Sequence, residues 1–262
     1  MPKAIFFDID GTLWDRERRI PESTKAALGK LKKNGHLCFI CSGRTRAFIP
    51  EKELMPLGFD GILAGCGTYG EYRGEVLYYH QIPVEEAARV CEILRRFSAA
   101  FVLEGRYGIY LDPDTFPKGD TFPLRMKHAM GDLLLPVRGN EKNLQISKFC
   151  VDHIEECREE LVRELTPEYR IIYRQRGLLE IVPKGFGKAS GIEELCRILH
   201  IRREDTYAFG DSTNDLDMLE YAAHSVAMGD GMEEAKQAAE YVTSALWDDG
   251  VWNGLLHYGL IE

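Results

Sequence analysis

The chain has 262 residues, 45% of them apolar and 29% charged, and a formal net charge of −9. That composition can fill one large hydrophobic core or two modest ones, and the acidic balance excludes strong binding to nucleic-acid backbones, which rests on Lys and Arg neutralising phosphates. No apolar run approaches the roughly 20 residues that span a bilayer, and Asp8 interrupts the start before a signal-type apolar region can form, so a cytoplasmic protein with no membrane partner is expected.

Taken in chain order, residues 3–9 predict an apolar strand ending in acid. A helix over 21–33 opens on Pro21 and Ser23 and stops at Asn34-Gly35. A strand over 36–41 ends at Ser42-Gly43-Arg44. A short strand over 61–64 runs into Gly65-Cys66-Gly67. This alternation favours a parallel sheet with crossover helices. From about residue 71 the texture changes to hairpins. An arm over 75–82 is followed by a helix over 84–97, with Ala87, Cys91, Leu94 and Phe97 on one face. Strands over 99–104 and 107–111 come next. The proline-bearing stretch 112–139 offers one short helix near 124–130. A strand over 145–151 and a helix marked by Ile154, Cys157, Leu161 and Leu165 lead to a hairpin pairing 169–174 with 178–182 around Gln175-Arg176-Gly177. After Pro183 the first texture returns: helix 189–199, strand 206–209, helix 215–222, strand 225–228, helix 232–239, short strand 241–243 and a terminal helix within 247–260. The expected fold is α/β, a Rossmann-like parallel-sheet core from residues 1–81 and 185–262, with an inserted α+β domain over 82–184.

In an open parallel sheet, ligands bind beyond the carboxyl ends of the strands, where the strand order reverses. Three strand ends here carry polar groups: Asp8 and Asp10 after the first, Ser42 after the second and Asp211 after a late one. Clustered carboxylates repel one another and lose hydration, so they call for a cation. Oxygen-only ligands suit a hard ion, with Mg2+ the best fit. A phosphate monoester beside that ion would meet a metal, positive side chains, backbone N–H groups around Gly11 and Thr12, and a carboxylate nucleophile. A second carboxyl two residues on can protonate the leaving oxygen and then take a proton from water.

Four runs occur in order: Phe7-Asp8-Ile9-Asp10-Gly11-Thr12-Leu13, Cys41-Ser42-Gly43-Arg44, Pro183-Lys184-Gly185-Phe186-Gly187-Lys188, and Phe209-Gly210-Asp211-Ser212-Thr213-Asn214-Asp215. Together they resemble the four motifs of the haloacid-dehalogenase-type hydrolases. Ala227-Met228-Gly229 and Tyr241-Val242-Thr243 are similar to the closing segments of the Cof-type branch, whose large cap lies between the second and third motifs. The resemblance implies an Mg2+-dependent phosphatase acting on a small phosphorylated metabolite. Asp8 would be nucleophile and metal ligand. Asp10 would be general acid and base, its backbone carbonyl also reaching the metal. Asp211 would be a third metal anchor, and Asp215 would either support the metal or orient Lys188. Ser42 and Lys188 would hold the phosphoryl oxygens, with Thr12, Gly43 and Asn214 in the same neighbourhood. Arg44 stays open between a phosphate neighbour and a surface ion-pair former. Two departures stand out: Gly65-Cys66-Gly67 occupies the place of an Asn-Gly pair, and Asp230 follows Ala-Met-Gly where Asn is common.

Other patterns carry less. Gly65-Cys66-Gly67-Thr68-Tyr69-Gly70 has dinucleotide-type glycine spacing, but a strand rather than a helix should follow, which rules that reading out. The Cys38/Cys41 pair sits on a strand, where residues three apart point to opposite faces, so buried unpaired thiols are expected. A phosphosugar mutase on the same fold, or a non-catalytic phosphometabolite binder, remains an alternative, and no protein partner can be inferred.

Overall fold

The protein is described from a computed structural model covering residues 2–174 and 177–262. Along the chain run β1 (Ala4–Phe7), α1 (Glu22–Lys33), β2 (Leu37–Cys41), α2 (Glu51–Leu54), β3 (Gly61–Ala64), β4 (Tyr69–Tyr72) and β5 (Glu75–Tyr79). These are followed by α3 (Val84–Arg96), β6 (Ala100–Glu104), β7 (Ile109–Tyr110), α4 (Phe122–Met130), β8 (Leu134–Leu135), β9 (Lys148–Asp152), α5 (Arg158–Leu165), β10 (Tyr169–Tyr173) and β11 (Leu179–Pro183). The last third holds α6 (Lys188–Leu199), β12 (Thr206–Gly210), α7 (Leu216–Tyr221), β13 (His224–Ala227), α8 (Glu233–Ala238), β14 (Tyr241–Val242) and α9 (Gly250–His257). The predicted hairpin turn at Gln175-Arg176 lies outside the described residues. Among the described residues no helix is long and apolar enough to cross a membrane.

The chain divides into two compact units. The first comprises Met1–Gly43, Pro50–Tyr78 and Gly187–Glu262; the second comprises Arg44–Ile49 and Tyr79–Phe186. The segment Arg44–Ile49, placed in the first domain by sequence, groups with the second unit. Local patterning could not show this, because the segment's apolar Ala47 and Phe48 pack against a cluster of Val102, Ile109, Leu111 and Met126, distant in sequence.

In the first unit the sheet order is β14-β13-β12-β1-β2-β3-β4-β5. The strands from β14 to β3 are parallel, and β4 turns back antiparallel on β3. The chain leaves β1 toward β2 on one side and returns through β12 on the other, so the order reverses at β1. Both faces are covered, which is why β1 reads Ala-Ile-Phe-Phe with every residue buried. Ala4, Phe6, Phe39 and Ala208 join Ile192, Leu195 and Met218 of α6 and α7 on one face. On the other, Phe7 lies against Phe209 with centroids 5.0 Å apart. There α9 comes so close that a β-carbon on Gly254 would stand 2.6 Å from the Phe209 ring. Cys38 and Cys41 are buried and unpaired. Burial pushes the Cys38 thiol up to about 12, a value that makes it a small hydrophobe rather than a redox partner. The Gly65–Gly67 turn leads into strand β4, not a helix.

The second unit holds a six-stranded sheet in the order β10-β11-β9-β6-β7-β8. Its pairings are antiparallel except β7 with β8. Alternation along the strands divides its residues. Phe101, Leu103, Phe149, Val151, Leu179 and Ile181 face the helices α3 and α5. Their neighbours Val102, Glu104, Lys148, Cys150 and Glu180 line the opposite face. Helix α5 begins at Arg158 rather than at Ile154. Ile154 and Cys157 still pack on the same core from the preceding turn, so their spacing imitates a longer helix.

Candidate active site

The site grows from the carboxyl ends of β1 and β12. These strands pair in register, Phe7 beside Phe209, so Asp8 and the residues after Gly210 emerge at the same edge. After β1 the chain turns at once: Leu13 and Trp14 both donate their N–H groups to the Ile9 carbonyl, and Gly11 donates to that of Trp14. Gly11 has φ +90°, and a β-carbon there would sit 2.5 Å from an Asp211 carboxylate oxygen. Only glycine lets the turn and Asp211 approach so closely. The Thr12 hydroxyl then donates to Asp211 Oδ1 at 3.2 Å.

Lys188, the first residue of α6, is buried and joins the two ends of this edge. Its ammonium donates to Asp8 Oδ1 at 2.5 Å and also to Asp215 Oδ1. Asp215 Oδ2 accepts the backbone N–H groups of Asp211 and Ser212, each at 2.9 Å. Asp215 therefore both closes its own turn and orients Lys188. Burial alone would pull the Lys188 pKa down, but the adjacent Asp215 and Asp8 carboxylates outweigh it and hold the ammonium protonated well above its usual range. Burial raises Asp8 to about 7, opposed by Lys188 and reinforced by Asp215 and Asp10. Burial, with Asp215 and Asp8 beside it, raises Asp211 to about 8.

The remaining sequence candidates are distributed as follows. Ser42 is buried just beyond β2, its N–H on the Leu63 carbonyl and its own carbonyl receiving the Cys66 N–H. Asn214 is buried and accepts the Ser212 hydroxyl at 2.6 Å. Gly43 ends the first segment of the first unit. Arg44 belongs to the second unit, where its guanidinium lies 5.0 Å from the Phe48 ring centroid. Lys184, four residues before Lys188 in the same run, is exposed and also in the second unit. Asp10 is exposed, and its Oδ1 accepts the indole N–H of fully buried Trp14 at 2.9 Å. Sequence reading overlooked Trp14. Its place four residues after Asp10, across an obligatory glycine turn, was the available signal.

One oxygen each from Asp8, Asp211 and Asp215 lies within 4.8 Å of the others. The set is all carboxylate, partly neutralised by one ammonium, and two of its members have raised pKa values. Such a donor set fits a hard divalent cation and disfavours zinc or copper, which draw on nitrogen and sulfur. Asp10's side chain is not part of this trio.

A family model described as haloacid dehalogenase-like hydrolase matches residues 5–255. The chain belongs to that family. Among haloacid dehalogenase-like proteins it is 32% identical to the "Putative phosphatase YkrA" of Bacillus subtilis, over 99% of each chain. It is 26% identical to the "5-amino-6-(5-phospho-D-ribitylamino)uracil phosphatase YitU" of the same organism, over 98% of this chain and 97% of that one. The solved structure of "the HAD Subclass IIB Sugar Phosphatase BT4131" superposes with a TM-score of 0.84 at 32% identity, covering 99% of this chain and all of the other. This haloacid dehalogenase-like chain is accordingly a phosphoric monoester hydrolase. Its two departures from the family pattern have local explanations. Cys66 takes φ +52° between Gly65 and Gly67, also at positive φ, in a left-handed run that Asn and Gly adopt most easily. Asp230 Oδ1 accepts the Leu246 N–H at 3.1 Å, a turn contact that an Asn oxygen could make equally.

Proposed function

We propose that the protein is an Mg2+-dependent phosphatase that hydrolyses a small cytoplasmic phosphate monoester through an aspartyl-phosphate on Asp8. The observation that carries this reading is the single ammonium of Lys188 shared by Asp8 and Asp215, with Asp211 converging on the same point. Asp8, Asp211 and Asp215, with the backbone carbonyl of Asp10, would hold Mg2+, whose charge offsets that of the phosphoryl oxygens.

The protein's own groups supply the rest. Lys188 fixes the plane of the Asp8 carboxylate and, with Ser42 and backbone N–H groups near Thr12, stabilises charge on the equatorial phosphoryl oxygens. An Asp8 oxygen attacks phosphorus as the bond to the leaving oxygen breaks, and Asp10 passes its proton to that oxygen. Asp10, now a carboxylate, takes a proton from water. The water oxygen attacks phosphorus, the bond to Asp8 breaks, and inorganic phosphate leaves with the Asp8 carboxylate restored. The second unit acts as the cap that selects the alcohol. Relatives named for a uracil derivative and for sugars support a small phosphorylated metabolite without fixing which.

Asp8→Asn tests the reading. Release of phosphate from an aryl phosphate should fall by roughly a thousandfold or more, as nucleophile losses do, while the fold is retained. Activity that survives the substitution would remove Asp8 from the role of nucleophile.

A further inference from the structure

The second unit contains polar chemistry that phosphoryl transfer does not use. On the sheet face opposite α3 and α5, Glu104, Lys148 and Glu180 are all buried. Lys148 donates to Glu180 and stands 3.6 Å from Glu104. Among the described residues Glu104 otherwise meets only weak donors, the Cys150 thiol at 3.2 Å and the Thr45 hydroxyl at 3.5 Å. A carboxylate has about four lone-pair sites, so Glu104 keeps acceptor capacity in a setting where an under-satisfied charge is costly.

Beside this carboxylate lies a cavity of about 360 Å³, with Glu104 and Cys150 in its wall. Its other surfaces are mainly apolar: Phe48, Val102, Phe116, Phe122 and Met126. Phe116 and Phe122 stack with centroids 5.4 Å apart. An apolar cavity of ~150 Å³ accepts benzene, so this one has room for a substituted ring or two fused ones. Aromatic walls reward a flat occupant, whereas a polyol would leave hydroxyls unsatisfied against them. The ionic lining is acidic. Among the described residues, Glu104, Asp120 and Asp152 stand against one exposed guanidinium, that of Arg125. Asp120 is engaged with the Phe122 N–H at 2.7 Å and with His153 at 3.0 Å, and Asp152 with the His153 N–H at 2.8 Å. Of the three carboxylates Glu104 is the buried one, and so the one that would read a ligand away from water.

We propose that the cavity bounded by Glu104, Val102, Phe116 and Phe122 is a binding site for a flat, amino-bearing aromatic or heteroaromatic ring, whose N–H donors are taken by Glu104. The site stands without the phosphatase reading. Only the step that makes this ring the alcohol part of the ester rests on that reading.

The test uses the full chain and 2-aminopyrimidine, with benzoate and glucose as controls, in calorimetry or chemical-shift titration. The aminopyrimidine should bind and the controls should not. Glu104→Gln, which keeps the side-chain shape, should weaken binding about 10- to 100-fold, the range for a lost hydrogen bond to a charged group. Val102→Phe, which fills the cavity, should abolish it, with circular dichroism confirming that both variants fold. Competitive inhibition of monoester hydrolysis by the aminopyrimidine would identify the ring as part of the substrate, and binding without competition would identify a separate effector. No binding up to solubility, equal binding of benzoate, or unchanged affinity in both variants would overturn the proposal. Binding retained in Asp8→Asn separates this outcome from failure of the nucleophile assignment.

Discussion

At the scale of single residues, Asp8 and Asp211 set a pH dependence with an unusual sign. Both carboxyls titrate higher in the folded chain than at their ordinary 3.8, at about 7 and about 8. Between those limits the folded state binds more protons than the unfolded one, so stability falls as pH rises. The metal-free protein should therefore melt at a lower temperature at pH 8 than at pH 5. Added Mg2+ should recover more at pH 8, because protons compete with the cation at pH 5. Melting scans with chelator and with Mg2+ at the two pH values check both statements. Trp14 makes a second prediction. Its buried indole N–H holds the Asp10 carboxylate, and Trp14→Phe keeps the bulk but removes the donor. Turnover of alkyl phosphates, whose leaving oxygen needs a proton, should drop about tenfold. Activated aryl phosphates should be much less affected, and an equal loss on both would mean that Trp14 matters only for packing. The carboxylates themselves were legible because each sits in a short local run at a strand end. The Trp14 contact was not, because it depends on the turn geometry that Gly11 permits.

At the scale of elements, Gly67 seats the helix that carries Lys188. It has φ +80°, and a β-carbon there would lie 2.2 Å from the Gly187 carbonyl oxygen and 3.0 Å from the Gly191 nitrogen. Gly67→Ala should cost about 1–3 kcal/mol of stability, seen as a lower denaturant midpoint. It should also lower kcat by displacing the start of α6. The ends of the central strands are tied separately. Lys3 and Asp205 meet at 2.6 Å, and this hydrogen bond holds the Asp205 carboxyl below its ordinary range. The contribution is present above the unfolded pKa of about 3.9 and is lost as pH falls through the lower folded value. Parallel strands and their helices could be read from the sequence because fully buried strands are continuous apolar runs. The stretch 112–139 could not. There α4 buries only Met126, and the two-residue β8 exists only through its pairing with β7, so neither leaves a periodic trace.

At the scale of the whole molecule, the cluster under α6 and α7 in the first unit and the cluster under α3 and α5 in the second share no members. Phe149 is fully buried in the second unit's core against Tyr169, with centroids 5.2 Å apart. Phe149→Ala should remove about 3–5 kcal/mol from that unit. Urea unfolding followed by far-ultraviolet dichroism should then show a second transition that is absent or masked in the parent. The change from strand–helix alternation to hairpins marked the insertion in the sequence. The assignment of Arg44–Ile49 to the second unit was not legible, because six residues carry no texture and their packing partners lie more than fifty positions on.

The position of β1 between β2 and β12 also has a temporal side. On a ribosome delivering the chain from residue 1, β1 can pair with β2 early, but its other edge stays open until Thr206–Gly210 has been made about two hundred residues later. Strands β6 to β11 are by then complete and neighbour only one another. The inserted unit can thus mature first, and the pair that brings Asp8 beside Asp211 closes among the last long-range contacts of biosynthesis. Nascent chains stalled before β12 should be protease-resistant from β6 to β11 while β1 remains open to cleavage.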